Sequence, residues 1–313
     1  LIGPRREVAG AAGTGDGVMT TASEARSIVD ELIEERAPGL FGNVVGRTVM
    51  RGLLYPLLHY RDALELAEIV HGMSAREIFE FVSRTLALDV RAEGVAHVPP
   101  DGPALIAPNH PTGITDGFVV YEAIKAIRPD LCFFANKDAI RVAPRLDEMI
   151  IPVEWSADKR SHASARETLA AAARALKQGR CVVLFPAGRL AYLSWQGIRE
   201  RPWQSTIVNL ARRFDAPIVP MSISGRNSAL FYTFSQISNE LRDVTLFREF
   251  LNKRQYHYRV RIGAALKADA IEGDPNEFIS DLQYLVEHAM PRHGPVARLR
   301  PRPRAKPATL WGG

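Results

Sequence analysis

The chain has 313 residues, of which 46% are apolar and 24% charged, which is ample for a real core in one large domain or two small ones. The two cysteines, Cys132 and Cys181, each begin an apolar run, so we expect buried thiols in a reducing, cytosolic setting. Their number and spacing exclude a disulfide framework. The net charge of +5 comes from the C-terminal end of the chain. Residues 291–313 hold six of the 40 basic residues and no acidic one, so the rest of the chain has 34 basic and 35 acidic residues and is about neutral.

The sequence pattern in the N-terminal quarter of the chain predicts helices. Residues 1–18 lack the apolar stretch of a signal peptide, and Met19 begins a run typical of a natural start, so we expect residues 1–18 to be upstream read-through or a disordered leader. The apolar spacing of residues 24–36 predicts a helix, and the Ser-x-x-Glu capping box at 74–77 opens another. Residues 44–60 are too short, and too interrupted by charge and proline, to span a bilayer of about 30 Å. They form either a core helix or a segment lying in a membrane interface.

From about residue 87, short apolar runs alternate with helical patterns, which is typical of an α/β fold. We predict a single α/β domain with a mostly parallel central sheet flanked by helices, plus an N-terminal helical cap. The division is 19–86 for the helical region, 87–290 for the α/β domain and 291–313 for a disordered basic tail. The predicted strands are 87–92, 104–108, 131–136, 149–155, 181–186, 217–223 and 258–263. The predicted helices are 116–127, 164–177 (opened by a Ser-x-x-Glu box), 204–214, 229–251 and 275–289.

One stretch, residues 104–120 (ALIAPNHPTGITDGFVV), carries a candidate site. His110 and Asp116 are six residues apart and would face different ways on a helix, so they cooperate only if the chain between them folds back as a loop. Pro111 and Gly113 favour such a loop. Asp116 would then hold one imidazole nitrogen, and His110 would present the other as a general base. The alternative is that Asp116 only caps the following helix and His110 is an ordinary loop residue.

At this point the sequence resembles the glycerolipid acyltransferases, which include the 1-acylglycerol-3-phosphate acyltransferases. Four blocks of that family have counterparts in order over about residues 88–226. They are Asn109-His110 with Asp116, then ANKDAI and MIIPVEW, then Phe185-Pro186-Ala187-Gly188-Arg189, and lastly Ile218-Val219-Pro220.

The sequence departs from the usual family pattern at three places. Five residues, rather than four, separate His110 from Asp116, a form similar to a bacterial hemolysin-like branch. Ala187 stands where the third block usually has glutamate, and Trp155 stands where the second block usually has arginine. The last two departures weaken the expectation of lysophosphatidic acid as the acceptor.

The resemblance implies an acyltransferase that moves a fatty acyl group from acyl-CoA or acyl-carrier protein to a lysophospholipid or similar lipid hydroxyl. It implies His110 and Asp116 as catalytic residues, and backbone N–H groups of the 186–189 turn as oxyanion donors. Neither a metal nor a prosthetic group is expected. The substrate-binding residues that we predict are Asn109, Gly113, Lys137, Pro186, Gly188 and Arg189. Arg141, Arg160 and Arg226 are nearby basic residues that we expect to be surface charges.

We expect the protein to work at the cytoplasmic face of a membrane, bound peripherally to an anionic surface that the basic tail could attract. The tail is otherwise a solubilising extension, and because no aromatic residues interleave with its arginines we expect no nucleic-acid partner. Two rival functions stay open. One is a non-catalytic lipid-binding or membrane-scaffold protein of the same fold, favoured by Ala187, and the other is a thioesterase-like hydrolase.

Overall fold

A seven-stranded sheet forms the centre of the computed structural model, which describes residues 15–42, 44–154, 161–295 and 299. The strand order is β1-β9-β8-β2-β5-β3-β4, and β8, β2, β5, β3 and β4 are parallel to one another. β9 runs antiparallel to β8, and β1 runs parallel to β9. Together with a separate two-stranded hairpin, the strands are β1 Asp89–Glu93, β2 Ala104–Pro108, β3 Cys132–Asn136, β4 Ile150–Val153, β5 Cys181–Val183, β6 Tyr192–Ser194, β7 Gly197–Arg199, β8 Ile218–Ile223 and β9 His257–Ile262.

Helices precede the sheet and cover both of its faces. They are α1 Gly15–Arg36, α2 Pro38–Phe41, α3 Val44–Val49, α4 Tyr55–Leu57, α5 Tyr60–Val70, α6 Ala75–Leu86, α7 Ile114–Ile124, α8 Asp138–Val142, α9 His162–Lys177, α10 Thr206–Phe214, α11 Ala229–Ile237, α12 Asn239–Leu251, α13 Pro275–Tyr284 and α14 Met290–His293. The predicted fold class, a mostly parallel sheet flanked by helices with helices ahead of it, is therefore confirmed.

The central strand β2 explains why both sheet faces must be covered. All five of its residues are buried. Ala104 and Ile106 pack into the core on one face, whereas Leu105 and Ala107 pack into the core on the other. Such a strand reads as a continuous apolar run, as strands of parallel sheets do.

All seven predicted strands of the main sheet exist, but several predicted helices differ. The helix predicted at 24–36 begins earlier, at Gly15, and the one predicted at 229–251 is two helices, because Ser238 ends α11 and caps α12. The capping box at 74–77 is confirmed. The box predicted at 164–167 is wrong, because Ser161 caps α9 by accepting from the Ser164 amide.

The ends of the chain limit what the structure tests. α14 extends to His293, three residues into the predicted tail, because the Met290 side chain is buried in the core. Residues 1–14 and most of the tail lie outside the described residues, as do Trp155 and Arg160. The division of the chain into a leader, a helical region, an α/β domain and a tail stays a prediction.

Candidate active site

His110 and Asp116 lie together at the carboxyl edge of the sheet, as the sequence predicts. β2 ends at Pro108, and the loop that follows turns back so that His110 Nδ1 lies 2.9 Å from Asp116 Oδ2. The carboxylate of Asp116 is fully buried, and the side chain of His110 is 16% exposed. A carboxylate at Nδ1 keeps the proton on that nitrogen, so Nε2 is left as the proton acceptor.

The same carboxylate organises the loop. Oδ2 of Asp116 accepts the main-chain N–H groups of Thr112 (2.9 Å) and Gly113 (2.8 Å), and Oδ1 accepts the Thr112 hydroxyl. Asp116 therefore caps α7 and also holds His110, and turnover of the Asp116 variant tests whether it does more than cap the helix. Gly113 fits its place because its φ of 95° is in the left-handed region and the Leu190 side chain lies against it.

A His–Asp pair alone does not mark the site. Among the described residues, His59 pairs with Asp62 and His257 pairs with Asp89, both at the surface. Of the His–Asp pairs in the described part of the chain, only His110 and Asp116 combine a buried carboxylate with a histidine that lines a cavity. Burial and the cavity therefore distinguish this pair.

The main chain of His110 is held by residues on both sides of the β6–β7 hairpin. The amide of Ala191 donates to the His110 carbonyl at 3.1 Å, and the His110 amide donates to the Glu200 side chain. The other oxygen of Glu200 accepts from Trp203 Nε1 at 2.7 Å. Burial raises the pKa of Glu200 from 4.5 to about 8, with the nearby carboxylates Glu287 and Asp116 adding to the shift. Sequence reasoning missed Glu200, because nothing local marks a residue that acts 90 positions away.

The turn after β5 forms the facing wall of the site. The Phe185 ring stacks on the His110 ring with centroids 4.2 Å apart. The Gly188 amide donates to the Phe185 carbonyl at 3.0 Å, and the Pro186 carbonyl accepts from Gln204. The Gly188 amide is therefore used within the turn and is not one of the turn N–H groups left to serve as an oxyanion donor. In the part of the chain that the structure describes, no group accepts from the amides of Ala187 and Arg189, which leaves those two as candidates.

Three of the predicted binding residues lie outside the cavity wall. The amide side chain of Asn109 bonds both the carbonyl (2.9 Å) and the amide (2.6 Å) of Ile223, and so fastens the end of β2 to the end of β8. Lys137 pairs with Glu154, and it is Glu154 that lines the cavity. Arg189 is exposed beside the turn. Gly113, Pro186 and Gly188 do line the cavity. The structure thus gives Asn109 a positioning role, and it shows no cavity contact for Lys137 or Arg189.

The cavity has a volume of about 750 Å³, within the range usual for ligand sites. Its wall is mostly apolar and is built by the N-terminal helices, α6, α7, α12 and the sheet. The apolar lining includes Leu32, Ile33, Leu58, Ala63, Leu66, Ala67, Val70, Phe79, Phe118, Phe133, Leu246 and Phe247. A polar part of the wall includes Asp138, Glu154, Ser161, Ser164, Thr168, Gln204 and Thr206. A long apolar group and a polar group can therefore occupy one cavity beside His110.

Surrounding charges are mostly paired. Arg141, predicted as a surface charge, bonds Glu31 and Glu35 of α1. Within the described ranges, no group of three or more His, Cys, Asp or Glu side chains could hold a metal ion. No helix in those ranges is both long and apolar enough to cross a bilayer.

Comparisons with known proteins show that the chain is similar to acyltransferases. Residues 89–224 match the family model described as Acyltransferase. A lyso-glycine lipid O-acyltransferase of Phocaeicola vulgatus is 21% identical over 220 residues, which cover 66% of this chain and 77% of that protein. The crystal structure of the 1-acyl-sn-glycerophosphate (LPA) acyltransferase PlsC from Thermotoga maritima is also similar. It is 16% identical with a TM-score of 0.46, covering 85% of this chain and 97% of that one.

The match of residues 89–224 and the curated relative support the glycerolipid acyltransferase superfamily for this chain. Both matches support an acyltransferase, and the transfer assay described below distinguishes it from a non-catalytic scaffold of the same fold. Membership of the hemolysin-like branch is a finer statement and stays a prediction.

Proposed function

We propose that the protein transfers a fatty acyl group from an acyl-CoA or acyl-carrier-protein thioester to the hydroxyl of a lysolipid, with His110 as general base and Asp116 as its partner. One observation carries the proposal: His110, whose Nδ1 lies 2.9 Å from the buried Asp116 carboxylate, lines a largely apolar cavity of about 750 Å³. An acyl chain needs an apolar wall, and the reaction needs a base at its mouth.

The proposed acyl transfer uses the His110 tautomer that carries its proton on Nδ1 and leaves Nε2 free to accept one. Nε2 of His110 takes the proton of the acceptor hydroxyl, and the oxygen attacks the thioester carbonyl carbon. The tetrahedral intermediate collapses as the C–S bond breaks, and the proton on His110 passes to the leaving thiolate. The products are an ester and a free thiol. The ionised Asp116 stabilises the imidazolium that forms between these steps, because its buried charge lies next to Nδ1.

The oxyanion of the intermediate needs preorganised donors. We assign this role to the amides of Ala187 and Arg189, since each belongs to the turn beside His110 and neither amide has an acceptor among the described residues. The Gly188 amide is excluded because it donates to Phe185 at 3.0 Å.

The two parts of the cavity suit different parts of the substrates. The apolar wall from α1, α5 and α7 would take the fatty acyl chain. The polar wall around Glu154, Ser161 and Gln204 would take head-group atoms. Glu154 has Lys137 as an ion-pair partner outside the cavity wall, so of this pair only Glu154 can contact a head group in the cavity. We further propose that transfer takes place at the cytoplasmic face of a membrane, because a lysolipid acceptor resides there.

The test is incubation of the purified full chain with labelled acyl thioesters and a panel of lysolipids, with the products identified by mass. The His110→Ala variant should lose transfer, whereas His257→Ala, which breaks the exposed pair with Asp89, should keep it. Retained transfer in His110→Ala would overturn the role given to this residue.

The same experiment separates transfer from hydrolysis. Release of free fatty acid at the same rate with and without a lysolipid would favour the thioesterase-like rival. Consumption of thioester that depends on the acceptor, with an ester as the product, supports transfer.

A further inference from the structure

The β6–β7 hairpin presents an apolar surface that none of the described residues covers. Two residues, Trp195 and Gln196, join its strands at the tip. Among the described residues, nine large apolar side chains are exposed, and five of them lie on this hairpin or on the adjoining end of α11. These five, which we call the hairpin surface, are Tyr192, Leu193, Trp195, Ile198 and Ile237. Such clustering marks a contact surface, whereas apolar residues exposed singly do not.

Trp195 is the most exposed of these residues, at 92%, and it occupies the tip of the hairpin. Behind it, Leu193 and Ile198 are cross-strand neighbours, so their side chains lie on one face. The Gln236 side chain donates to the Leu193 carbonyl at 3.1 Å and fastens α11 to the hairpin, which brings Ile237 to the same region. Because these side chains are exposed, they add no buried apolar surface to a hairpin whose strands have only three residues each. Stability of the fold therefore does not account for apolar residues at these positions.

The charges around this surface are positive on the outside. The segment from Arg189 to Trp203 holds Arg189, Arg199 and Arg201 and a single acid, Glu200, which points inward to the His110 amide. Arg201 lies over the Tyr192 ring at 5.5 Å, and Arg199 also faces Glu287. Tryptophan and tyrosine rings beside arginine suit the boundary between lipid tails and anionic head groups.

The hairpin is joined directly to the candidate active site. Leu190, just before it, lines the cavity, and Ala191 and Glu200 hold the carbonyl and the amide of His110. A surface held by the hairpin would therefore lie next to the catalytic histidine. A lipid acceptor could enter the cavity without crossing water.

We infer that the β6–β7 hairpin docks on an anionic lipid surface, with Trp195 inserted at the level of the head groups and the flanking arginines on lipid phosphates. The inference rests on the proposed function, because a lipid acceptor is what makes this contact useful. It assigns membrane contact to the hairpin, as distinct from residues 44–60 and the basic tail that the sequence suggests.

The test measures co-sedimentation of the full chain with vesicles of phosphatidylcholine and phosphatidylglycerol. Trp195→Ser should bind about tenfold more weakly, since a large aromatic side chain is lost from the interface. Binding should fall with added salt and on pure phosphatidylcholine, because the arginine contacts are electrostatic. The matched control is Val44→Ser, which removes a side chain that is 78% exposed in the competing segment and should leave binding unchanged.

Three results would overturn the inference. The first is wild-type vesicle binding by Trp195→Ser. The second is a loss of binding in Val44→Ser, or on truncation after residue 295, that Trp195→Ser does not share. The third is a dimer in light scattering that Trp195→Ser converts to a monomer without weaker vesicle binding, which would assign the hairpin surface to a second copy of the chain.

Turnover separates this inference from the proposed function. Trp195→Ser should transfer acyl groups to a water-soluble, short-chain lysolipid at the wild-type rate, but about tenfold more slowly to a lysolipid embedded in vesicles. Equal rates in both assays would refute the docking role and leave the transferase role intact. Vesicle binding through Trp195 in a protein that transfers to no lysolipid would refute the proposed function and leave the docking surface standing.

Discussion

The His110 amide donates a hydrogen bond to Glu200, a half-buried carboxyl group whose other oxygen accepts from Trp203 at 2.7 Å. Burial raises the pKa of Glu200 from 4.5 to about 8, so near neutral pH the folded chain holds a proton there that the unfolded chain releases. Stability from this group is therefore fully present below pH 4.5 and is lost as the pH rises towards 8. The slope reaches about 1.4 kcal/mol per pH unit for one proton.

The Glu200→Gln variant should remove this pH dependence, because glutamine keeps an acceptor for the amide and does not titrate. As the pH rises from 5 to 8, the wild type should lose free energy of unfolding relative to Glu200→Gln. Denaturant titration of both proteins measures this difference. The control is Glu272→Gln at an exposed carboxylate, which should track the wild type. Parallel curves for the wild type and Glu200→Gln would mean that Glu200 is ionised in the folded chain throughout this range.

Asp116→Asn should lower kcat by about 10–100-fold, the loss expected when a hydrogen bond to a charged group becomes a neutral one. The three N–H donors at the Oδ2 position favour the amide oxygen there, and the new NH₂ group can donate to the Thr112 hydroxyl. The His110 tautomer should then survive, and only the stabilising charge is lost. KM and the unfolding free energy should change little, because the amide oxygen of asparagine can still accept the Thr112 and Gly113 N–H groups.

The matched control for that variant is Asp89→Asn, which changes the exposed pair with His257 in the same chemical way. It should leave kcat unchanged. Full turnover in Asp116→Asn would reduce Asp116 to the capping role that the sequence leaves open.

Gly225→Ala should disturb the same carboxylate from the other side. A Cβ at residue 225 would lie 2.8 Å from Thr112 Cγ2 and 3.1 Å from the Tyr258 ring, so Thr112, whose hydroxyl bonds Asp116, must shift. We expect a stability loss of about 1–3 kcal/mol and a several-fold lower kcat, measured by denaturant unfolding and turnover. Gly72→Ala is the control, because nothing lies within 4 Å of its Cβ. Wild-type turnover in Gly225→Ala would show that Thr112 does not help to position Asp116.

The main sheet could be predicted because its strands are apolar runs bounded by turn residues, a signal that each run carries by itself. β2 and β5 are of this kind, being fully buried. The hairpin β6–β7 was missed for the opposite reason: its strands have three residues each and lie at the surface, so no run or alternation marks them. The break between α11 and α12 at Ser238 was also missed, because no glycine or proline signals it.

The candidate site shows the same division between local and distant information. The spacing from His110 to Asp116, with Gly113 between, is local, and it predicts the loop correctly. The partners of Asn109 and Lys137 could not be predicted, since Ile223 and Glu154 reach them only through the order of strands in the sheet. Motif reasoning finds the residues at a strand end, and the topology decides which of them face the cavity.

The cavity wall offers a test of where the acyl chain lies. Ala63 and Ala67 of α5 line the cavity, and both are buried. Ala67→Phe adds a ring to that wall, and overpacking of this kind leaves room for a shorter ligand only. We expect turnover with long-chain thioesters to fall at least tenfold, a loss worth about 1.4 kcal/mol, and turnover with short-chain thioesters to stay within about twofold. Kinetics over a series of acyl lengths, checked by mass analysis of the products, measures this split.

The same helix supplies the control. Glu65 lies on the exposed side of α5, so Glu65→Phe adds the same ring outside the cavity and should leave the acyl-length profile unchanged. Denaturant unfolding of both variants separates a loss of folding from a loss of room, since a misfolded Ala67→Phe chain would lose short-chain turnover as well. An unaltered profile in a folded Ala67→Phe variant would place the acyl chain elsewhere, because an occupied wall cannot gain a phenyl ring without excluding part of its ligand.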